Sequence, residues 1–90
     1  MAPQPQATSA PPIETVLSDI FASLAFAAHA YLTASNDETK ATDLEAAQTA
    51  IDLAGLTYER IAPRLPSEER LQMAALLTDL RMTCVRKRGL

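Results

Sequence analysis

Apolar residues recur along most of this chain at spacings of three and four, the signature of helices buried along one face. The stretch Ile20 to Leu32, IFASLAFAAHAYL, has almost no polar side. Ile13, Leu17, Ile20, Leu24, Ala27 and Tyr31 form one stripe through it, and Phe21, Ala25, Ala28 and Leu32 form a second beside it. Together they cover well over half of a helix surface, which predicts burial on more than one side, within the fold or between subunits. A membrane span needs roughly 20 continuous apolar residues. Asp19, Ser23, His29 and Thr33 interrupt this run, so the expected helix is not a span.

The same pattern sets the boundaries. Residues 1–11 are rich in Pro, Gln, Ala and Ser and bury too little apolar surface to offset the entropy of ordering, which predicts a disordered tail. Pro12 suits the first turn of a helix, and Glu14 suits the positive end of its dipole. The first helix is expected over 12–34, until Ser35-Asn36-Asp37 breaks the pattern. Thr42-Asp43-Leu44-Glu45 has the form of a capping box. Behind it, Leu44, Ala47, Ile51, Ala54, Tyr58, Ile61 and Leu65 make a narrow seam that alternates small and large residues. Gly55 beside that seam predicts a close approach, since glycine inside a helix costs about 1 kcal/mol relative to alanine. Pro63 and Pro66 end this second helix, expected over 42–62. Ser67 is the expected N-cap of a third helix over 67–87, with Met73, Leu77, Leu80 and Cys84 as its apolar line and Leu76 alongside. Short connections favour antiparallel neighbours. The expected fold is all-α: a three-helix antiparallel bundle, or a helical hairpin with a third helix packed on it, as one domain over 12–90.

Composition agrees: the chain is rich in Ala and Leu, with two Gly and no Trp. The net charge of −3 is unevenly spread, because all eight Lys and Arg lie beyond residue 39. A slightly acidic chain is a poor candidate for nucleic-acid binding, where phosphate neutralisation supplies most of the affinity. One cysteine excludes an internal disulfide, and the N-terminus lacks the charged start and apolar run of a signal peptide. The expected location is the cytoplasm.

From Ile51 to Val85 the run IDLAGLTYERIAPRLPSEERLQMAALLTDLRMTCV resembles the core of a small uncharacterised bacterial helical family, domain of unknown function eighteen forty-four. Ile51-Asp52-Leu53, Glu59, Arg60, Leu65, Glu68-Glu69, Leu76, Asp79-Leu80-Arg81-Met82 and Val85 carry the resemblance. Upstream, Phe21, Ser23-Leu24-Ala25, Ala28 and Tyr31-Leu32 extend it to about residues 20–86. The chain departs from the family pattern at Thr33, at Arg60-Ile61, at Pro63-Arg64 and at Pro66. That last position is the family's usual Thr cap, so capping is expected to move to Ser67. The resemblance implies a helical fold and no activity.

No motif supplies chemistry. His29 is the only histidine and Cys84 the only thiol. Neither has an evident base or orienting acid, so the parts for nucleophilic catalysis are missing. Cys84 on an apolar line reads as a small hydrophobe. Glu68-Glu69 and Arg86-Lys87-Arg88 read as compensation of the helix dipole at its two ends. No enzyme, cofactor, metal or small-molecule ligand is expected. Asp52 and Arg81 flank the seams of the second and third helices, which predicts an interhelical ion pair. The expected function is a non-enzymatic protein–protein interaction module, homodimeric through Leu17, Ile20, Phe21, Leu24, Ala28, Tyr31 and Leu32. The same residues could instead dock a different protein. A nucleic-acid contact through the basic C-terminus is a third and weaker reading.

Overall fold

A computed structural model describes residues 10–33 and 40–89, with side-chain detail from residue 44 onward in the second stretch. Most of the expected tail (residues 1–9) and the Ser35-Asn36-Asp37 break lie outside the described residues. Three helices follow one another: α1 (Ile13–Thr33), α2 (Lys40–Ile61) and α3 (Ser67–Gly89). A single 3-10 turn, Ala62–Arg64, joins α2 to α3. No strand occurs among the described residues, and the class is all-α.

Local chemistry explains how α1 is entered and how α2 turns into α3. The Pro12 carbonyl accepts the backbone N–H of Thr15 at 3.0 Å and of Val16 at 3.3 Å, so α1 is entered from proline. At the other end, Thr33 Oγ1 donates to the carbonyls of His29 and Ala30 at 3.0 and 3.3 Å. Helix α2 is already formed at Lys40, which puts Thr42 inside it rather than at its cap. Lys and Ala are good helix formers and carry the helix past a four-residue motif. Pro63 turns the end of α2 into the tighter 3-10 geometry, and Leu65 is then extended, as the residue before Pro66 must be. Arg70 fastens this turn, with Nη1 donating to the Leu65 carbonyl at 3.1 Å and the Ala62 carbonyl at 3.4 Å.

Helix α3 begins one residue earlier than its expected cap implies. The Pro66 carbonyl accepts the Arg70 backbone N–H at 3.0 Å, so Pro66 holds the cap position and Ser67 is the first helical residue. The Ser67 hydroxyl is taken by Arg70 Nη2 at 3.2 Å. The dipole ends are compensated as expected, by Glu68 and Glu69 in the first turn and Arg86, Lys87 and Arg88 in the last. The helix continues through Gly89.

One continuous core joins the three helices. Helix α1 contributes Phe21, Ala25, Ala28 and Leu32; α2 contributes Ala47, Ala50, Ile51 and Ala54; α3 contributes Leu77, Leu80 and Cys84. Leu24, Leu44, Tyr58 and Met73 pack against it half-buried. Five of the core residues are alanines, which let the helix backbones approach closely. Large side chains such as Leu32 and Ile51 then fill the space between, each contributing about 1.5–3 kcal/mol on full burial. By length and composition α1 is apolar enough to cross a membrane, but its Phe21–Leu32 line is inside this core.

Candidate interaction surfaces

The polar contacts between α2 and α3 run through Gln48, not through the Asp52–Arg81 pair expected from the flanking charges. Gln48 faces α3, where its Oε1 accepts Arg88 Nη2 at 2.9 Å and the Cys84 thiol at 3.6 Å. Its Nε2 donates to Asp52 Oδ1 at 2.9 Å, so the Asp52 carboxylate is held along its own helix. Arg81 reaches α2 at Gly55, where a Cβ would come within 2.5 Å of its Nη2. The bare glycine gives the guanidinium room one turn beyond Asp52, and the two charges form no bridge within 4.0 Å. The close approach expected at Gly55 is therefore that of an arginine tip rather than a helix backbone.

Among the described residues, one ion pair is present: Arg64 Nη1 lies 3.1 Å from Glu14 Oε2. It ties the turn after α2 to the start of α1, across two partly exposed side chains. The Glu14 carboxyl is held below its ordinary range by its own backbone N–H first and by Arg64 second.

The expected interface residues divide in two. Phe21, Ala28 and Leu32 are at most 3% exposed, committed to the chain's own core. Leu17 and Leu24 are half-buried, while Ile20 and Tyr31 are exposed. These four, with Ile13, follow one flank of α1 beside the core line. The opposite flank carries a residue that neither stripe contained: Phe26, 76% exposed. It stands at the rim of a groove of about 530 Å³ between α1 and α3. Ser18, Ala22, Ala25 and His29 line the α1 side, and Gln72, Met73 and Leu76 line the α3 side. His29 is thus a rim residue of an apolar groove. Among the described residues, no three His, Cys, Asp or Glu side chains group closely enough to hold a metal ion.

A further apolar surface was not anticipated. Leu71, Met82 and Val85, on the solvent side of α3, are 68%, 55% and 66% exposed. They were legible as a run of spacings four, three, four and three through Ala75 and Thr78. The stronger line on the other side of the helix concealed them.

A family described as a domain of unknown function (DUF1844) matches the chain over residues 14–86. No curated protein and no solved structure matches the chain.

Proposed function

The chain belongs to the DUF1844 family, whose description carries no activity, and we propose from its surface that it is a non-enzymatic helical protein–protein interaction module. The observation that carries this reading is the groove between α1 and α3, with Phe26 at its rim. An open, apolar, helix-walled groove is the shape that receives the apolar face of a partner helix. Phe26 would be an anchor of the contact, since buried aromatic side chains dominate interface energetics. A single thiol with no disulfide partner fits a module of the cytoplasm.

Self-pairing through α1 is the second reading. The flank Leu17, Ile20, Leu24 and Tyr31 favours it, although Phe21, Ala28 and Leu32 are already inside the core. The test is affinity capture from the native host with the wild-type chain and with Ala22→Arg. Ala22 is exposed on the groove wall, so the arginine fills the groove and leaves the core intact. The groove reading expects a discrete protein held in stoichiometric amount by the wild type and lost with Ala22→Arg. Equal retention by both chains, or retention of nothing by the wild type, contradicts it.

A further inference from the structure

On α3 the core line is Leu77, Leu80 and Cys84, with Met73 packed against it. Leu71, Ala75, Thr78, Met82 and Val85 descend the other side, and all five are exposed. Leu80 stands nine positions beyond Leu71, about 180° around a helix of 3.6 residues per turn. Among the described residues the core does not use this line, yet its four-and-three spacing is that of a seam between two helices.

We propose that this line is the seam of a symmetric homodimer, in which α3 packs antiparallel against α3 of a second copy and the two cross near Thr78. Charge selects the occupant. The helix is acidic in its first turn, at Glu68 and Glu69, and basic in its last, at Arg86, Lys87 and Arg88. An antiparallel pair sets the acidic end of each copy beside the basic end of the other, and two-fold symmetry makes the contact twice. A parallel pair would set like on like and align the two helix dipoles unfavourably.

Shape agrees with charge. A shallow hollow of about 240 Å³ lies among Arg81, Met82, Val85 and Arg86. Thr78 is midway between Leu71 and Val85 in the sequence, so a two-fold axis there carries Leu71 of one copy onto this hollow of the other. Glu68, three positions before Leu71, then lies on the same flank as Arg86 of the other copy. At the crossing, Ala75 and Thr78 are small enough for the backbones to approach. Gln72, Met73 and Leu76 lie on another side of α3, so the groove against α1 stays open in both copies. The inference does not depend on what that groove binds.

Two experiments on the full chain test it. Thr78→Cys, placed at the proposed axis, should give mostly disulfide-linked dimer under a mild chemical oxidant, while Ala22→Cys on the α1 groove wall links little. Separately, Glu68→Lys with Glu69→Lys should weaken the dimer about tenfold or more at low salt. Adding Arg86→Glu and Lys87→Glu should restore it, because only an antiparallel self-pair becomes complementary again. All of these positions are exposed, so each variant should keep the wild-type helical circular dichroism. A Thr78→Cys chain that stays unlinked, an Ala22→Cys chain that links equally, or a reversed-charge chain without recovery overturns the proposal. None of these results alters what Ala22→Arg does to partner capture, so the two readings fail separately.

Discussion

Apart from Phe26 and Leu76 at the groove, helices α1 and α3 each leave three large apolar side chains at least 40% exposed, and the two sets differ in where they stand. On α1, Ile13, Ile20 and Tyr31 are 40–45% exposed and run along the edge of the core line. An edge residue shields the core while half of it meets water, so its exposure follows from ordinary packing. On α3, Leu71, Met82 and Val85 are 55–68% exposed and stand opposite the core. They shield nothing among the described residues. The core-edge flank of α1 therefore gives the weaker case for an interface, and the outer line of α3 the stronger. Position relative to the core, rather than apolar content, separates the two.

The sharpest way to break this comparison is to truncate one leucine from each side. Leu32, 2% exposed, is core. Leu32→Ala should lower the free energy of unfolding by about 2–5 kcal/mol, read by urea denaturation. Leu71→Ala should change it by less than about 0.5 kcal/mol at concentrations low enough for the single chain. A large, concentration-independent loss with Leu71→Ala would mean that the outer line supports the fold after all.

Gly55→Ala has a smaller effect of opposite sign. Only the flexible tip of Arg81 obstructs the new methyl, so the helix-propensity gain of up to about 1 kcal/mol should prevail. A raised midpoint in a thermal melt is expected. A lowered one would show that the seat of Arg81 over α2 contributes more than the propensity gain.

Glu14→Gln should have the smallest effect. The folded state holds this carboxyl below its ordinary range, so its contribution is present above the unfolded value and fades as pH falls through the lowered one. Wild type and variant should differ slightly in thermal midpoint near neutral pH and converge in acid. A gap that widens on acidification would contradict the sign.

Much of the fold was legible because periodicity is a direct record of burial. Every residue of the seam from Leu44 to Leu65 and of the α3 line Met73, Leu77, Leu80 and Cys84 is buried or half-buried. The second of the two α1 stripes proved to be the core one. Which of two equally apolar stripes faces inward depends on how α2 and α3 pack, and the α1 sequence does not contain that. Side-chain reach was less legible. The ion pair expected at Asp52 and Arg81 ignored the open space over Gly55 and the longer reach of Arg88 to Gln48. The caps expected at Thr42 and Ser67 missed for a similar reason: a short polar motif marks a helix start only where the preceding residues fail to extend the helix or cap it themselves. Phe26 and the Leu71–Val85 line were present in the sequence as apolar residues off the strongest stripe. Their significance came from seeing that nothing among the described residues covers them.

Edge exposure on α1 and outward exposure on α3 differ in kind. The direct test is molar mass in solution, by sedimentation equilibrium, at two concentrations tenfold apart, for the wild type, Ile20→Asp and Leu71→Asp. The predicted result is a twofold mass for the wild type and for Ile20→Asp, and the single-chain mass of 9.7 kDa for Leu71→Asp. A dimer that survives Leu71→Asp and dissociates with Ile20→Asp would place the interface on α1 and contradict the account.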